Sequence, residues 1–583
     1  MAKSCAPASR RQPRASSGLK AKERVRGNNP SLAAIIRVVL FFTTGSVLAA
    51  PFTHGIVASV HPLATEAGIA TLKSGGNAVD AAVAVALTIG VVDGADAGIG
   101  GGCFMLIRRA DGTLVALDGR ETAPAAATRD MFIRNGKADT RLSQTGALAS
   151  GVPGALSAYE YAVQHFGRKK FGDLLLPAAD LAEKGFAIGP GYAARLKNEA
   201  QEMTQFEASR AIFFHDGKPL SSGEILKQHD LAATYRAIAR EGVDWFYRGP
   251  FARSTEKWMK ANGGLLTAND FRHYQLKLRE PLRSTYRGYT IAGFPPPSSG
   301  GVHVAEILNI LENFDLKSAA PADRLHLIAE AMKTAFADRA YWLGDPDFAR
   351  VPRGLLDRSY AVGLAKKISL ERATEITSHG SPPNWQTDVF KKHTTHFSVA
   401  DAEGNWVACT TTVNTSFGSK VVVPGTGVVL NNQMDDFSAQ PGVKNYFGLI
   451  GGDANAVEPG KRPLSSMSPT IVLKDGKPII ALGAAGGPTI ITQVVLELVN
   501  MIDFGLSAED AIAAPRIHHQ WVPDELIVER TLPAALLEAL RQKGHKVIER
   551  GGLGVSQIAA WDPMQNSFVG AADPRGGGTA AGW

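Results

Sequence analysis

The chain has 583 residues, 45% of them hydrophobic and 20% charged, which gives material for a large buried core and excludes a disordered or fibrous class. Its net charge of +7 sits at one end: residues 1–49 carry nine Lys or Arg and one acid, Glu23, a net +8 that leaves −1 for the rest, so the composition points to no nucleic-acid partner. Three cysteines are too few for a disulfide framework, and no CxxC or Cys/His grouping marks a metal site, so neither a metal nor a cofactor is expected.

Residues 1–49 read as an export signal peptide: a basic stretch, an apolar run over 38–48 headed by Arg37, and Val47-Leu48-Ala49 before a cut at Ala49/Ala50. The run is short for a membrane span, which makes an uncleaved anchor the lesser alternative. Arg10-Arg11 lacks the apolar residues directly behind it that a twin-arginine signal needs.

Helices are expected over 61–74 and 77–91, the second so rich in Ala and Val that it belongs in the core. Gly98-Ile99-Gly100-Gly101-Gly102 then leads into a strand instead of opening a helix, so its expected role is close backbone packing and not phosphate binding. After a turn at Asp111-Gly112, a strand over 113–117 delivers Asp118-Gly119-Arg120-Glu121. An Arg between two acids is either ion-paired or a bidentate clamp for a carboxylate, which Lys geometry does not suit. Residues 151–271 are mostly amphipathic helices, for example 172–184 and 229–241. A Pro-rich turn over 294–301 enters a helix at 302–314, and another helix over 323–343 ends at Gly344-Asp345-Pro346.

Residues 394–399 and 406–414 form the arms of an expected β-hairpin, rich in β-branched residues and joined by the polar turn Asp401 to Asn405. The first arm opens on Thr394, behind an exposed loop over 378–385 and the charged Lys391-Lys392-His393. A chain cut before Thr394 would leave a Thr with a free α-amine, whose ordinary pKa of about 7.7–8.0 lets it take and return the hydroxyl proton.

A short strand over 425–430 is expected to lead into Asn431-Asn432-Gln433-Met434-Asp435-Asp436-Phe437, whose carbonyls and carboxylates suit an ammonium group or, alternatively, an Asx-rich turn. Residues 441–452, glycine-rich around Tyr446-Phe447, fit a mobile lid. A hairpin over 470–474 and 478–482 then runs through Gly483-Ala484-Ala485-Gly486-Gly487-Pro488 into a helix over 489–502. Glycine N–H groups at such a strand-to-helix turn are the materials of an oxyanion hole, or simply a turn.

Five stretches in order carry a resemblance: Thr394-Thr395-His396-Phe397-Ser398-Val399, Thr412-Val413-Asn414-Thr415-Ser416-Phe417-Gly418, residues 431–437, Arg462-Pro463-Leu464-Ser465-Ser466-Met467-Ser468-Pro469, and Gly486-Gly487. Together with 98–102, 295–301 and 344–348, they make the chain resemble the γ-glutamyltransferase (γ-glutamyltranspeptidase) family from about His54 onward. The resemblance implies an N-terminal-nucleophile hydrolase: an αββα sandwich, α+β in class, built jointly by a large chain (50–393) and a small chain (394–583) of one self-cleaved precursor.

It also implies roles. Thr394 becomes the nucleophile after cleavage at His393–Thr394, Thr412 hydrogen-bonds it, and the Gly486 and Gly487 N–H groups hold the oxyanion. Arg120, Ser465 and Ser466 grip the glutamyl α-carboxylate, Asn414, Gln433 and Asp436 hold its α-ammonium, and Tyr446 with Phe447 forms the lid. One cation and one anion would thus fix the two ends of a zwitterion separately. The implied substrates are glutathione and other γ-glutamyl amides, with water or an amino acid or peptide as acceptor. A cephalosporin or glutaryl-7-aminocephalosporanic acid acylase is the alternative within the family. Gly119, Ala484-Ala485, Pro488-Thr489 and the placement of the lid aromatic at Phe447 depart from many relatives.

Overall fold

Alternation of apolar side chains along the strands sets the architecture. The computed structural model describes residues 52–390 and 397–583, and Pro51–Trp583 is one compact unit. The expected leader and the stretch from Lys391 to His396, which includes Thr394, lie outside the described residues. The strands of the two large sheets are β1 (Gly55–Ser59), β2 (Gly102–Arg108), β3 (Leu114–Gly119), β4 (Lys277–Arg279), β5 (Leu282–Tyr286), β6 (Tyr289–Gly293), β7 (Phe397–Asp401), β8 (Trp406–Thr412), β9 (Thr470–Lys474), β10 (Lys477–Ala485), β11 (Val555–Asp562), β12 (Ser567–Ala572) and β13 (Thr579–Gly582).

One sheet has seven strands in the order β4-β3-β2-β8-β7-β1-β13, the other six in the order β5-β6-β9-β10-β11-β12. Neighbours run antiparallel in both. Along β2 and β8, Met105, Ile107, Val407 and Cys409 join the core under one layer of helices. The residues between them, Leu106 and Ala408, meet Ala292, Ile471, Ala481 and Ala559 of the other sheet. Such period-two segregation is what a strand buried on both faces requires, and alanine on the inner faces lets the sheets pack closely.

The helices α1 (Pro62–Lys73), α2 (Ala78–Val92) and α3 (Ala155–Phe166) serve the outer side of the seven-stranded sheet; α4 (Gly300–Leu311) and α6 (Thr489–Ile502) pack on the six-stranded sheet, and α5 (Pro321–Trp342) packs on α4. Helix α2 begins where Asn77 and Asp80 form a reciprocal cap, and all its residues are buried, as its Ala/Val content predicts. The expected glycine packing holds as well: a Cβ on Gly101 would lie 2.0 Å from the Thr412 carbonyl oxygen, so only glycine lets that loop reach the end of β8.

One expectation fails. Residues 425–430 form no strand; Gly425 and Gly427 take φ of +71° and +67° and fold the chain back, so that Val423 N–H donates to Val428 O at 3.1 Å and Val422 bridges Val429.

Candidate active site

Arg120 leaves the end of β3 beside the end of β8, because β2 lies between and pairs with both. It is fully buried, over the Phe104 ring at 5.8 Å, itself stacked on Phe294 at 4.1 Å. Its Nε donates to Pro463 O at 3.0 Å, and its Nη2 donates to Leu464 O at 3.2 Å and to Asp436 Oδ2 at 2.5 Å. Among the described residues Nη1 has no hydrogen-bond partner. Glu121, buried and 3.9 Å away, is pushed up to about 8 by burial against the pull of Arg120, so it is mainly protonated at neutral pH.

The residues expected at the two ends of the head group are in direct contact with each other. Arg120 and Asp436 are one ion pair, formed where residues 431–437 return along the end of β8; among the described residues no other carboxylate lies so near the guanidinium. Asp436 closes a short 3-10 turn, Gln433–Asp436, and burial raises its pKa although Arg120 and then Arg339 oppose this. Gln433 Nε2 donates to the same Oδ2 at 3.1 Å, while its Oε1 is buried and among the described residues has no partner. The Asn414 side chain donates to Asn432 O at 3.1 Å, which leaves its carbonyl as an acceptor. Two amide oxygens and a carboxylate are what an ammonium group needs.

Ser465 and Ser466 lie beside Arg120 on the stretch whose Pro463 and Leu464 carbonyls it holds. Ser465 Oγ accepts from Met467 N–H at 3.1 Å, and Ser466 Oγ accepts from Arg339 Nη2 at 3.0 Å. The sequence reading missed Arg339. It lies on α5 among Ala335, Phe336 and Trp342, and the signal for it is a cation on a helix face that is otherwise apolar.

At the other rim, Gly486 and Gly487 join β10 to α6 with φ of +136° and +60°. Among the described residues neither N–H donates a hydrogen bond, while Thr489 Oγ1 donates to Gly486 O at 2.8 Å and steadies the turn. The Phe447 ring lies over Gly487, where a Cβ would come within 2.5 Å of it, and Tyr446 is 53% exposed with its N–H donating to Asp435 Oδ2. Thr412 Oγ1 accepts from Asn414 N–H at 2.8 Å. Gly119 fits a tight space: a Cβ there would meet Ala158, Cys103 and Gly154 at 3.0 Å each.

Tertiary contacts also gather groups that no sequence spacing announces. His326, Glu330 and His545 bring ligand atoms within 4.8 Å of one another. Lys333 Nζ, 3.2 Å from Glu330 and 3.2 Å from Asp524, already supplies a positive charge there.

A family model described as Gamma-glutamyltranspeptidase matches residues 64–583. The glutathione hydrolase proenzyme of Escherichia coli (strain K12) is 46% identical over 527 residues, 90% of each chain. The acylase ACY 1 proenzyme of Pseudomonas sp. (strain SE83) is 40% identical over 540 residues, 90% of this chain and 93% of that one. Among solved structures, a cephalosporin acylase from Bacillus halodurans superposes with a TM-score of 0.81 at 30% identity, over 91% of this chain and 96% of that one. The αββα sandwich is accordingly of the N-terminal-nucleophile hydrolase type. With a match running unbroken from residue 64 to Trp583, the chain belongs to the γ-glutamyltranspeptidase family.

Proposed function

We propose that the protein is an exported γ-glutamyl hydrolase and transferase that matures by cutting itself at His393–Thr394. In that reading Thr394 Oγ attacks the His393 carbonyl carbon, the peptide C–N bond breaks as the nitrogen takes the hydroxyl proton, and water hydrolyses the resulting ester. The freed Thr394 then attacks the γ-carbonyl of glutathione or another γ-glutamyl amide. The amine leaves, and water or an amino acid or peptide takes the glutamyl group from the Thr394 ester. Two relationships support the reading. The β7–β8 register pairs Phe397 with Cys409, so the first described strand after the proposed cut runs beside the strand that ends at Thr412. Strands from before and after residue 394 are hydrogen-bonded neighbours in both sheets, β2 with β8 and β6 with β9, so large and small chains would stay joined by backbone hydrogen bonds after cleavage.

The observation that carries the reading is the buried convergence of Arg120, Asp436 and Gln433 with Asn414, Ser465 and Ser466: cationic and hydroxyl donors beside anionic and amide acceptors fit an α-amino acid head group. An oxyanion formed at the γ-carbonyl would lie at Gly486 and Gly487. Export rests on residues 1–49; among the described residues no helix is long and apolar enough to cross a membrane.

The test is a denaturing gel with N-terminal sequencing, joined to assays on γ-glutamyl and glutaryl anilides. Two bands, the smaller beginning Thr394-Thr395-His396, with the γ-glutamyl compound preferred, are expected. One uncut band in active protein would overturn the maturation step, and preference for the glutaryl compound would favour the acylase alternative. Thr394→Ala should abolish both cleavage and turnover.

A further inference from the structure

Among the described residues Arg339 is a buried cation with no carboxylate in ion-pair contact; Asp436 acts on it only from a distance. Arg339 is 5% exposed, yet among the described residues no carboxylate lies within 4 Å of it; its partners are hydroxyls, Ser299 Oγ at 2.9 Å from Nε and Ser466 Oγ at 3.0 Å from Nη2. Burial pulls its pKa only to about 10, with Asp436 opposing and Arg120 adding to the fall, so it stays charged at neutral pH. An uncompensated buried charge is costly. Around it, Arg120 is balanced by Asp436 and Glu121 is mainly neutral at pH 7, so the pocket holds one positive charge in excess.

The hydroxyl geometry says where an anion would go. Because Arg339 donates to Ser466 Oγ, the Ser466 proton must point elsewhere, and among the described residues it meets no acceptor. Ser465 Oγ likewise accepts from Met467 N–H, which leaves its proton to donate. Ser299 relays the hold: its Oγ accepts from Arg339 Nε and donates to Ser465 O at 2.7 Å, and its N–H reaches the same carbonyl at 2.7 Å. Arg120 Nη1 is the further unpaired donor.

We infer that Arg339 is a positioning and specificity-determining residue: from α5 it aims the Ser465 and Ser466 hydroxyls at one point and supplies the charge that a substrate carboxylate neutralises there. The inference rests on the proposed function for its substrate class, but not for its sign: any acyl donor carrying a carboxylate at that end, glutaryl as well as γ-glutamyl, meets the same demand. Amines at that end fall to Asp436 and Gln433 instead.

Three anilides separate these terms: γ-glutamyl (carboxylate and amine), glutaryl (carboxylate only) and 4-aminobutyryl (amine only). They are assayed on the mature two-chain enzyme. Arg339→Gln is expected to raise KM about 10- to 100-fold for whichever of the first two the wild type turns over. It should change kcat less than KM and leave the 4-aminobutyryl compound within about 2-fold. Arg339→Lys keeps the charge but cannot reach both hydroxyls, and should fall between wild type and Arg339→Gln. Should Arg339→Gln not mature, Ser466→Ala and Arg339→Lys still decide, since each must penalise carboxylate-bearing compounds selectively. Equal losses on all three anilides, or none on the carboxylate-bearing pair, would overturn the inference. A wild type that uses glutaryl and ignores γ-glutamyl would overturn the proposed function while leaving Arg339 testable.

Discussion

Two buried clusters of charge lie within the same molecule, and they differ in how completely they are satisfied. In the first, Asp118 accepts from Arg279 at 2.9 and 3.2 Å and pairs with Arg462, Asp345 Oδ2 accepts from Arg462 N–H at 3.0 Å, and Asp347 reaches Arg279. No side-chain atom of Asp118, Arg279, Arg462 or Asp345 is left buried and unpartnered. In the second, among the described residues Arg120 Nη1, both Glu121 oxygens and Gln433 Oε1 are buried without hydrogen bonds, and Arg339 has no carboxylate within 4 Å. A completed network ties β3 and β4 to the stretch after residue 460. Unpartnered buried atoms occur elsewhere as well, at Glu306, Glu497 and Gln557 for example; what distinguishes the second cluster is that donors and acceptors left open sit beside two guanidinium groups, the partners that the proposed head group would supply.

The sharpest way to break this comparison is Asp118→Ala. It removes the carboxylate shared by two buried guanidinium groups, leaving Arg279 only its longer contacts to Asp345 and Asp347, and should cost about 3–5 kcal/mol of stability, read as a lower denaturant midpoint. A loss below about 1 kcal/mol would mean that the cluster is not what holds these strands. Asp436→Ala probes the other cluster. It should lower kcat/KM for a γ-glutamyl anilide about 10- to 150-fold, with a much smaller loss for the glutaryl compound, which has no amine to hold. Its stability loss should be smaller than that of Asp118→Ala, because Arg120 keeps the Pro463 and Leu464 carbonyls. Equal losses on both anilides would reassign Asp436 to structure.

Because Arg120 and Asp436 touch, their effects should not add. The Arg120→Ala/Asp436→Ala double variant is expected to lose less transition-state stabilisation than the two single losses together, by about 0.5–3 kcal/mol. Additive losses would show that the two residues act independently.

The remaining effect, one that vanishes at low pH, concerns Glu121. Its folded pKa is raised to about 8 by burial, so between the unfolded value near 4.5 and pH 8 the native state keeps a proton that the unfolded chain has lost, and stability falls as pH rises across that window. Glu121→Gln should remove this slope. Its Tm should exceed that of the wild type by about a few degrees at pH 8 and match it near pH 4.5. A difference independent of pH would show that Glu121 is ionised throughout.

Much of the frame was legible from local pattern. Apolar periodicity and caps fix elements residue by residue, which is why His229–Glu241, Thr470–Lys474 and Thr489–Ile502 fall where the sequence puts them. The motif residues could be assigned from the order in which they occur along the chain. The failed strand over 425–430 turned on two glycines at positive φ, a conformation that glycine permits and composition does not announce.

What the sequence by itself determined is therefore the periodicity of its elements, the glycine loops, and which polar stretches recur in the order of the family. Only the tertiary structure decided that Arg120 and Asp436 are one pair, that Glu121 is held protonated, and that Arg339, 219 positions from Arg120 along the chain, shares their pocket. The physical reason is that elements arise from interactions a few residues apart, whereas the charge state and satisfaction of a buried group depend on whatever the folded chain brings within a few ångströms of it.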